Sequence, residues 1–440
     1  MTKLVLVLIG AALGLAWGWD VLNAPALAAH PWWIARQELM YLSGLWSIGL
    51  MSLAMYLATR PVWLEKPLGG MDRVYRTHKW AGILAGVFAI MHWLVKESDG
   101  LLKSLIGREG RVPKEKFVGL LENLRHLGKD FGEWGFYILL VLLAITLWKR
   151  FPYRPWRFLH RAMPVIYLAL AFHAVFLSPL DYWAQPVGWL LAGLILAGGY
   201  GALRALLGNI GQARRSTGEI LAVTQTAADI VGVRCRLAGG WSGHRPGQFA
   251  LVTFDSAEGA HPFTIASADQ GDRTIEFRIK ALGDYTRQLA NRLRVGQMLR
   301  IEGPYGCFDI DRLDRQAQQV WIAAGIGVTP FLAWLASLQE NPQAAPAADL
   351  HYCTRDRETD PFVQQLTTLC AGLPAIRLQV HGDRQGERLD AASLLPNRPA
   401  GQPAEVWFCG PSGLAAALRR GLPGIGSGGL RFHQEAFEMR

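Results

Sequence analysis

What most constrains this chain is where charge is missing. Runs without Asp, Glu, Lys or Arg cover Leu4–Trp19, Leu39–Ala58, Trp80–Val95, Trp134–Trp148, Ala162–Leu180 and Tyr182–Leu203. A membrane span needs about 20 apolar residues, so the shorter runs need their flanks or a tilt. The reading is six membrane helices before about residue 210. Lys3, the leucine-rich core after it and Ala26-Leu27-Ala28 also resemble a signal peptide with its cleavage site. The triplet lies well beyond the apolar core, which favours a retained helix.

The 440 residues leave room for about three domains. Net charge is +10, and its placement argues against nucleic acid as a partner. Arg60, Lys66, Arg73, Arg76 and Lys79 fill the second connection between runs. Lys149, Arg150, Arg154, Arg157 and Arg161 fill the fourth, and Arg204, Arg214 and Arg215 follow the last run. Alternate basic connections are what cytoplasmic loops carry, so everything after residue 210 is expected in the cytosol. The compact organisation suggests a bacterial inner membrane. The five cysteines form no CxxC, which argues against a disulfide framework and against an iron–sulfur or zinc site.

Two histidine pairs sit inside the apolar runs. His78 and His92 are 14 residues apart, and His160 and His173 are 13 apart. An ionisable residue within a span is costly and marks a functional site by default. With the N-terminus inside, the third and fifth helices are parallel, which sets His78 level with His160 and His92 level with His173. Each level then offers one imidazole from either side, as a haem requires. Two haems b would lie roughly 20 Å apart along the helices. Arg73, Arg76, Arg157 and Arg161 could neutralise propionates. On an ideal helix the second pair would point about 140° apart, unlike the first at about 40°; Pro164 lies between them and can kink the helix. His30 and His126 have no partner at matching depth and read as outer-surface residues.

From about Ser216 the pattern changes to short β-rich runs, among them Ile220–Thr226, Gly232–Leu237, Phe249–Phe254, Thr274–Lys280 and Gln297–Glu302. These predict a small antiparallel barrel. After Gln316, Val320–Ala324, Phe331–Leu338, Leu350–Cys353, Phe362–Leu369, Ala375–Val380, Val406–Cys409 and Leu414–Leu422 alternate strand and helix. That rhythm predicts a parallel α/β nucleotide-binding domain. Gly325-Ile326-Gly327-Val328-Thr329-Pro330 ends its first strand and opens a helix, where a pyrophosphate could approach the backbone. The fold class is therefore multi-domain: a six-helix transmembrane bundle at 1–210, an antiparallel β-barrel at 214–312 and an α/β domain at 316–440.

Several of these segments carry a resemblance. His261-Pro262-Phe263-Thr264-Ile265-Ala266-Ser267 resembles the flavin motif of the ferredoxin-NADP reductase superfamily, which implies that Thr264 lies near the flavin N5. Lys280-Ala281-Leu282-Gly283-Asp284-Tyr285-Thr286 is similar to the flavin-pyrophosphate segment, with Gly283 and Thr286 toward phosphate. Gly303-Pro304-Tyr305-Gly306 matches the turn closing the barrel. Cys409-Gly410-Pro411 resembles the nicotinamide-side motif, and Phe437 falls where relatives stack an aromatic ring near the flavin. Joined to helices with paired histidines, the whole resembles the ferric reductase/NADPH oxidase superfamily of transmembrane flavocytochromes b.

The resemblance implies a route from NADPH or NADH through FAD, the His78/His160 haem and the His92/His173 haem to an acceptor on the outer face. Dioxygen, a ferric chelate, a quinone and a periplasmic protein all suit such a route, because outer-sphere reduction needs no catalytic side chain. Thr354, Arg355 and Arg357 follow the second strand, where a basic residue favours the 2′-phosphate of NADPH. The competing reading is a haem-free, membrane-anchored flavin reductase that feeds a membrane or periplasmic partner. A non-catalytic sensor subunit is disfavoured by the intact His261–Ser267 and Cys409–Pro411 motifs.

Overall fold

The computed structural model describes residues 1–440 apart from 26–27, 114, 116, 149, 396–401, 423–428 and 436–440. Ala26 and Leu27 of the cleavage-site triplet, and Phe437, therefore lie outside the described residues. The described chain divides into two compact units: 1–69 with 73–211, and 212–440 with 70–72.

The first unit is helical: α1 (Thr2–Asn23), α2 (Pro31–Ala58), α3 (Val62–Leu68), α4 (Met71–Glu97), α5 (Asp99–Ile106), α6 (Leu120–Leu147), α7 (Tyr153–His160), α8 (Met163–Leu177) and α9 (Pro186–Leu206). Six spans among the described residues are long and apolar enough to cross a membrane, with α4–α5 and α7–α8 each making one. Their outward faces carry Leu8, Leu15, Trp134, Val141 and Leu196 exposed, a surface that only lipid tails would cover at no cost. The protein is a multi-pass membrane protein. Inside, small residues let backbones approach: a β-carbon at Gly201 of α9 would strike the Met55 carbonyl of α2.

The second unit holds two sheets. The first is antiparallel and built from β1 (Arg215–Ala227), β2 (Ile230–Leu237), β3 (Phe249–Thr253), β4 (His261–Thr264), β5 (Thr274–Lys280) and β6 (Met298–Tyr305), in the order β4-β3-β6-β1-β2-β5. An antiparallel bridge from Ile265 to Phe277 joins its two edges, and the Ala266 N–H donates to the Glu276 carbonyl at 2.7 Å. The sheet thus curls toward a barrel. Strand β5 shows why: Ile275, Phe277 and Ile279 point inward in alternation with Glu276 and Arg278, as a half-buried strand requires. Helix α10 (Asp284–Arg292) places Leu289 in the same core.

The second sheet contains β7 (Gln318–Ala324), β8 (Ala348–Thr354), β9 (Ile376–Gly382), β10 (Ala404–Cys409) and β11 (Leu430–Glu435), all parallel, in the order β11-β10-β7-β8-β9. Trp321 and Trp407 point to the face covered by α11 (Thr329–Leu338) and α12 (Pro361–Ala371). Val320, Ile322, Val406 and Phe408 point to the face covered by α13 (Ser412–Gly421). Burial on both faces is why these strands read as continuous apolar runs.

Candidate functional site

In the membrane unit the four histidines meet as two pairs. The ring centroids of His78 and His160 are 6.3 Å apart, and those of His92 and His173 are 6.2 Å apart. Two imidazoles on opposite sides of one metal, each nitrogen about 2 Å from it and about 1 Å from its ring centre, put the centroids about 6 Å apart. Three of the rings are held from behind. His78 Nδ1 lies 2.8 Å from the Ala54 carbonyl, His92 Nδ1 2.8 Å from that of Met40, and His173 Nδ1 2.9 Å from that of Gly128. A carbonyl oxygen only accepts, so each Nδ1 carries the proton and each Nε2 keeps its lone pair. Such a hydrogen bond to a backbone carbonyl is how metal-ligating histidines are oriented. His160 differs: its Nδ1 is buried without a hydrogen-bond partner, and Trp156 stacks on the ring at 5.2 Å.

The backbone explains how the carbonyls become reachable. Met40 and Gly44 are one helical turn apart on α2, and Gly128 and Gly132 are one turn apart on α6. A β-carbon at Gly44 would stand 3.2 Å from His92 Nδ1, and one at Gly132 would overlap the His173 ring. In each helix the residue four after the accepting carbonyl has no side chain, so the imidazole lies against the main chain.

The thirteen-residue spacing is accommodated by a break. Helix α7 ends at His160, and α8 begins at Met163 with Pro164 in its first turn. The two histidines therefore belong to different helical frames. A cavity of about 1630 Å³ adjoins the His92–His173 pair and is lined in part by Trp93, Phe136, Arg36, Arg125 and Lys129. That exceeds the roughly 300–1,000 Å³ of a single-ligand pocket. Among the described residues no three His, Cys, Asp or Glu side chains converge on a metal site, so each pair offers a metal two protein ligands.

In the barrel, β4 carries His261, Pro262, Phe263 and Thr264 as one antiparallel edge against β3. Ser267 follows, its hydroxyl accepting from the Glu276 N–H at 3.2 Å. His261 stacks on Tyr285 with centroids 4.4 Å apart, which brings the His261–Ser267 segment to the Gly283–Thr286 turn. There the Thr286 hydroxyl accepts from the Leu282 and Gly283 N–H groups, each at 3.0 Å. Gly283 is the N-cap of α10, so this turn opens a helix N-terminus, a favourable place for phosphate. The Lys280 ammonium is turned to Asp229 at 3.4 Å. Burial, then Glu258 and Asp255, push the Tyr285 phenol up to about 12, so the ring is neutral at physiological pH.

In the α/β domain the strand order reverses between β7 and β10, and ligands bind where such sheets switch, beyond the carboxyl ends of the strands. Both glycine motifs stand there. Gly325 has φ +54°, and a β-carbon at Gly327 would strike the Cys409 carbonyl. Gly325–Pro330 and Cys409–Pro411 are thus packed side by side. Thr329 spends its hydroxyl on the Ile326 carbonyl at 2.7 Å, and Pro330 occupies the first turn of α11. Burial pushes the Cys409 thiol up, so it stays protonated. Arg355 follows β8 and is exposed, whereas Arg357 is held by both Glu387 oxygens at 2.7 and 2.9 Å.

Two family models match. Residues 43–171 match the ferric reductase like transmembrane component, and residues 216–309 match an FAD-binding domain. The chain has the architecture of the ferric reductase/NADPH oxidase superfamily. A ferric-reductase-like membrane domain is thus joined in one chain to an FAD-binding domain. The beta subunit of the heme-dependent oxidative N-demethylase of Ectopseudomonas mendocina is 36% identical over 153 residues, 34% of this chain and 45% of that protein. The carnitine monooxygenase reductase subunit of Escherichia coli is 32% identical over 155 residues, 35% of this chain and 45% of that protein. The chain thus spans less than half the length of these curated relatives. A ferredoxin NADP+ reductase from Neisseria gonorrhoeae, solved with bound FAD and NADP, is 17% identical with a TM-score of 0.43 and covers 50% of this chain and 98% of that one.

Some residues of this ferric reductase-like protein were not signalled by the sequence reading: Gly44 and Gly132, the carbonyls of Met40 and Gly128, Trp156, and Tyr285 against His261. Helix glycines are ordinary in membrane spans, so only their spacing from a later-known acceptor could have marked them. His30, read as a surface residue, is the N-cap of α2 and accepts from the Trp32 N–H.

Proposed function

We propose that this protein is a transmembrane NAD(P)H oxidoreductase of the flavocytochrome b type, with one haem b held by His78 and His160 and a second by His92 and His173. Segments 1–210, 214–312 and 316–440 serve as its haem, FAD and NAD(P) domains, the latter two on the cytoplasmic side. The acceptor, dioxygen or a ferric chelate, would be reduced at the opposite face. A bound FAD would supply the conversion between two-electron and one-electron transfer, and a bound haem a one-electron carrier.

The chain's own residues bind and orient. Thr264 and Ser267 position the flavin ring, and Gly283 and Thr286 take its pyrophosphate at the α10 N-terminus. Gly325, Gly327 and Cys409–Pro411 bring the nicotinamide nucleotide to the switch point, and Arg355 favours NADPH. The observation that carries the reading is the pair of centroid distances, 6.3 and 6.2 Å, with Nδ1 of three rings occupied by carbonyls.

The test is a reduced-minus-oxidised visible spectrum of the detergent-purified protein beside His78→Ala and His173→Ala. A b-type signal that loses about half its haem in each variant is expected for one iron per pair. A flavin-only spectrum, identical in all three proteins, leaves a membrane-anchored flavin reductase in its place.

A further inference from the structure

Three of the four imidazoles are held by a carbonyl, and the fourth is held by a different device. Met40 and Ala54 are 14 residues apart on α2, as His92 and His78 are on α4, so α2 supports both histidines of that helix. On α6 the carbonyl 14 residues after Gly128 is that of Leu142. It is already occupied, because the Thr146 hydroxyl donates to it at 2.7 Å. Thr146 stands four residues after Leu142, the place that Gly44, Ala58 and Gly132 fill after the other three carbonyls. Where those positions are bare or nearly so, Thr146 carries a side chain that bonds back to the helix and keeps an imidazole off its carbonyl.

Trp156 fills that gap. Its indole N–H donates to the same Thr146 hydroxyl at 3.2 Å, and its ring lies on His160 with centroids 5.2 Å apart and planes 25° apart. Leu142, Thr146, Trp156 and His160 thus form one continuous series from the α6 backbone to the imidazole. No hydrogen bond reaches the imidazole itself, since His160 Nδ1 is buried without a partner. A hydrogen bond behind a metal-ligating histidine fixes its plane and raises its basicity; a stack fixes the plane alone. The planes of His78 and His160 stand 78° apart, and those of His92 and His173 stand 90° apart. We propose that Trp156, anchored by Thr146, is the positioning residue for His160 and sets the plane of that ligand in place of a fourth carbonyl. The proposal rests on the reading of His78 and His160 as haem ligands.

Near-perpendicular axial imidazoles give low-spin ferric haem a strongly anisotropic electron paramagnetic resonance signal, and the anisotropy falls as the two planes turn toward parallel. The oxidised full-length protein in detergent is measured, and its two signals are assigned with His78→Ala and His173→Ala. Trp156→Leu is expected to shift only the signal that His78→Ala removes and to weaken haem retention there about tenfold, as loss of a partner behind a ligand does. Trp156→Phe keeps a ring against His160 but loses the bond to Thr146, and Thr146→Val loses the same bond from the other side. These two should shift that signal alike and less than Trp156→Leu does, with haem content near that of wild type. If Trp156→Leu does not fold, the milder pair decides. A general loosening of the bundle would move both signals, so signals that shift together, or a His78/His160 signal that none of the variants moves, overturn the proposal and leave the haem reading standing. Wild type without any haem signal overturns the haem reading and this proposal with it.

Discussion

Gly132 lies against the ring of His173 so closely that a β-carbon there would overlap the imidazole. Gly132→Ala should therefore displace His173 and cost about half of the bound haem, as removal of one axial ligand would. Gly44→Ala should cost less, because its β-carbon would stand 3.2 Å from His92 Nδ1 and the ring can yield a few tenths of an ångström. Haem content per flavin in the two variants checks the order; equal losses, or none at Gly132, would contradict the geometry.

Arg355 and Arg357 should part company in nucleotide selection. The Arg357 guanidinium is engaged by Glu387, whereas Arg355 is exposed beyond β8. A charge-assisted hydrogen bond to a 2′-phosphate contributes about 1.5–3 kcal/mol, so Arg355→Ala should raise KM for NADPH about tenfold or more and leave NADH nearly unchanged. Arg357→Ala should do less. Steady-state reduction of an artificial acceptor with each nucleotide measures both.

Glu405 predicts the acid sensitivity of the α/β domain. Burial opposes its ionisation, but hydrogen bonds from His433, the Asp314 N–H and Gln319 hold the carboxyl at about 2, below the usual 4.5. A depressed folded-state pKa contributes stability above the unfolded value and loses it as pH falls through the folded one. Wild-type stability from this group should thus be complete above pH 4.5 and decline toward about 2. Glu405→Gln should cost about 1–3 kcal/mol at neutral pH by leaving buried donors unmatched, and the deficit should shrink with acidification. Thermal unfolding followed by tryptophan fluorescence across that range tests the sign.

The elements of the second unit were legible because each has a strong period. Thr274–Lys280 was read with the bounds it has, and Val320–Ala324 lies within β7. Weak local signals were lost: β11 and α10 are too short and polar to announce themselves, and α5 lies in a charged connection. For the histidines, spacing alone left a conflict on the fifth span. It disappears because that span is two helices, and the restart at Met163 depends on how Pro164 is accommodated rather than on any hydrophobic pattern. The pairing of Arg357 with Glu387, thirty residues away, is tertiary and has no local trace. The same holds for His261 on Tyr285.

The acceptors behind His78, His92 and His173 are all main-chain carbonyls. No side-chain replacement at Ala54 or Met40 can delete them, so a mutational scan of those positions would be silent about their role. Sensitivity moves instead to places where atoms must stay absent. A map of tolerated substitutions in this bundle would accordingly show its sharpest intolerance at glycines that carry no functional group of their own, one turn downstream of the carbonyls they expose.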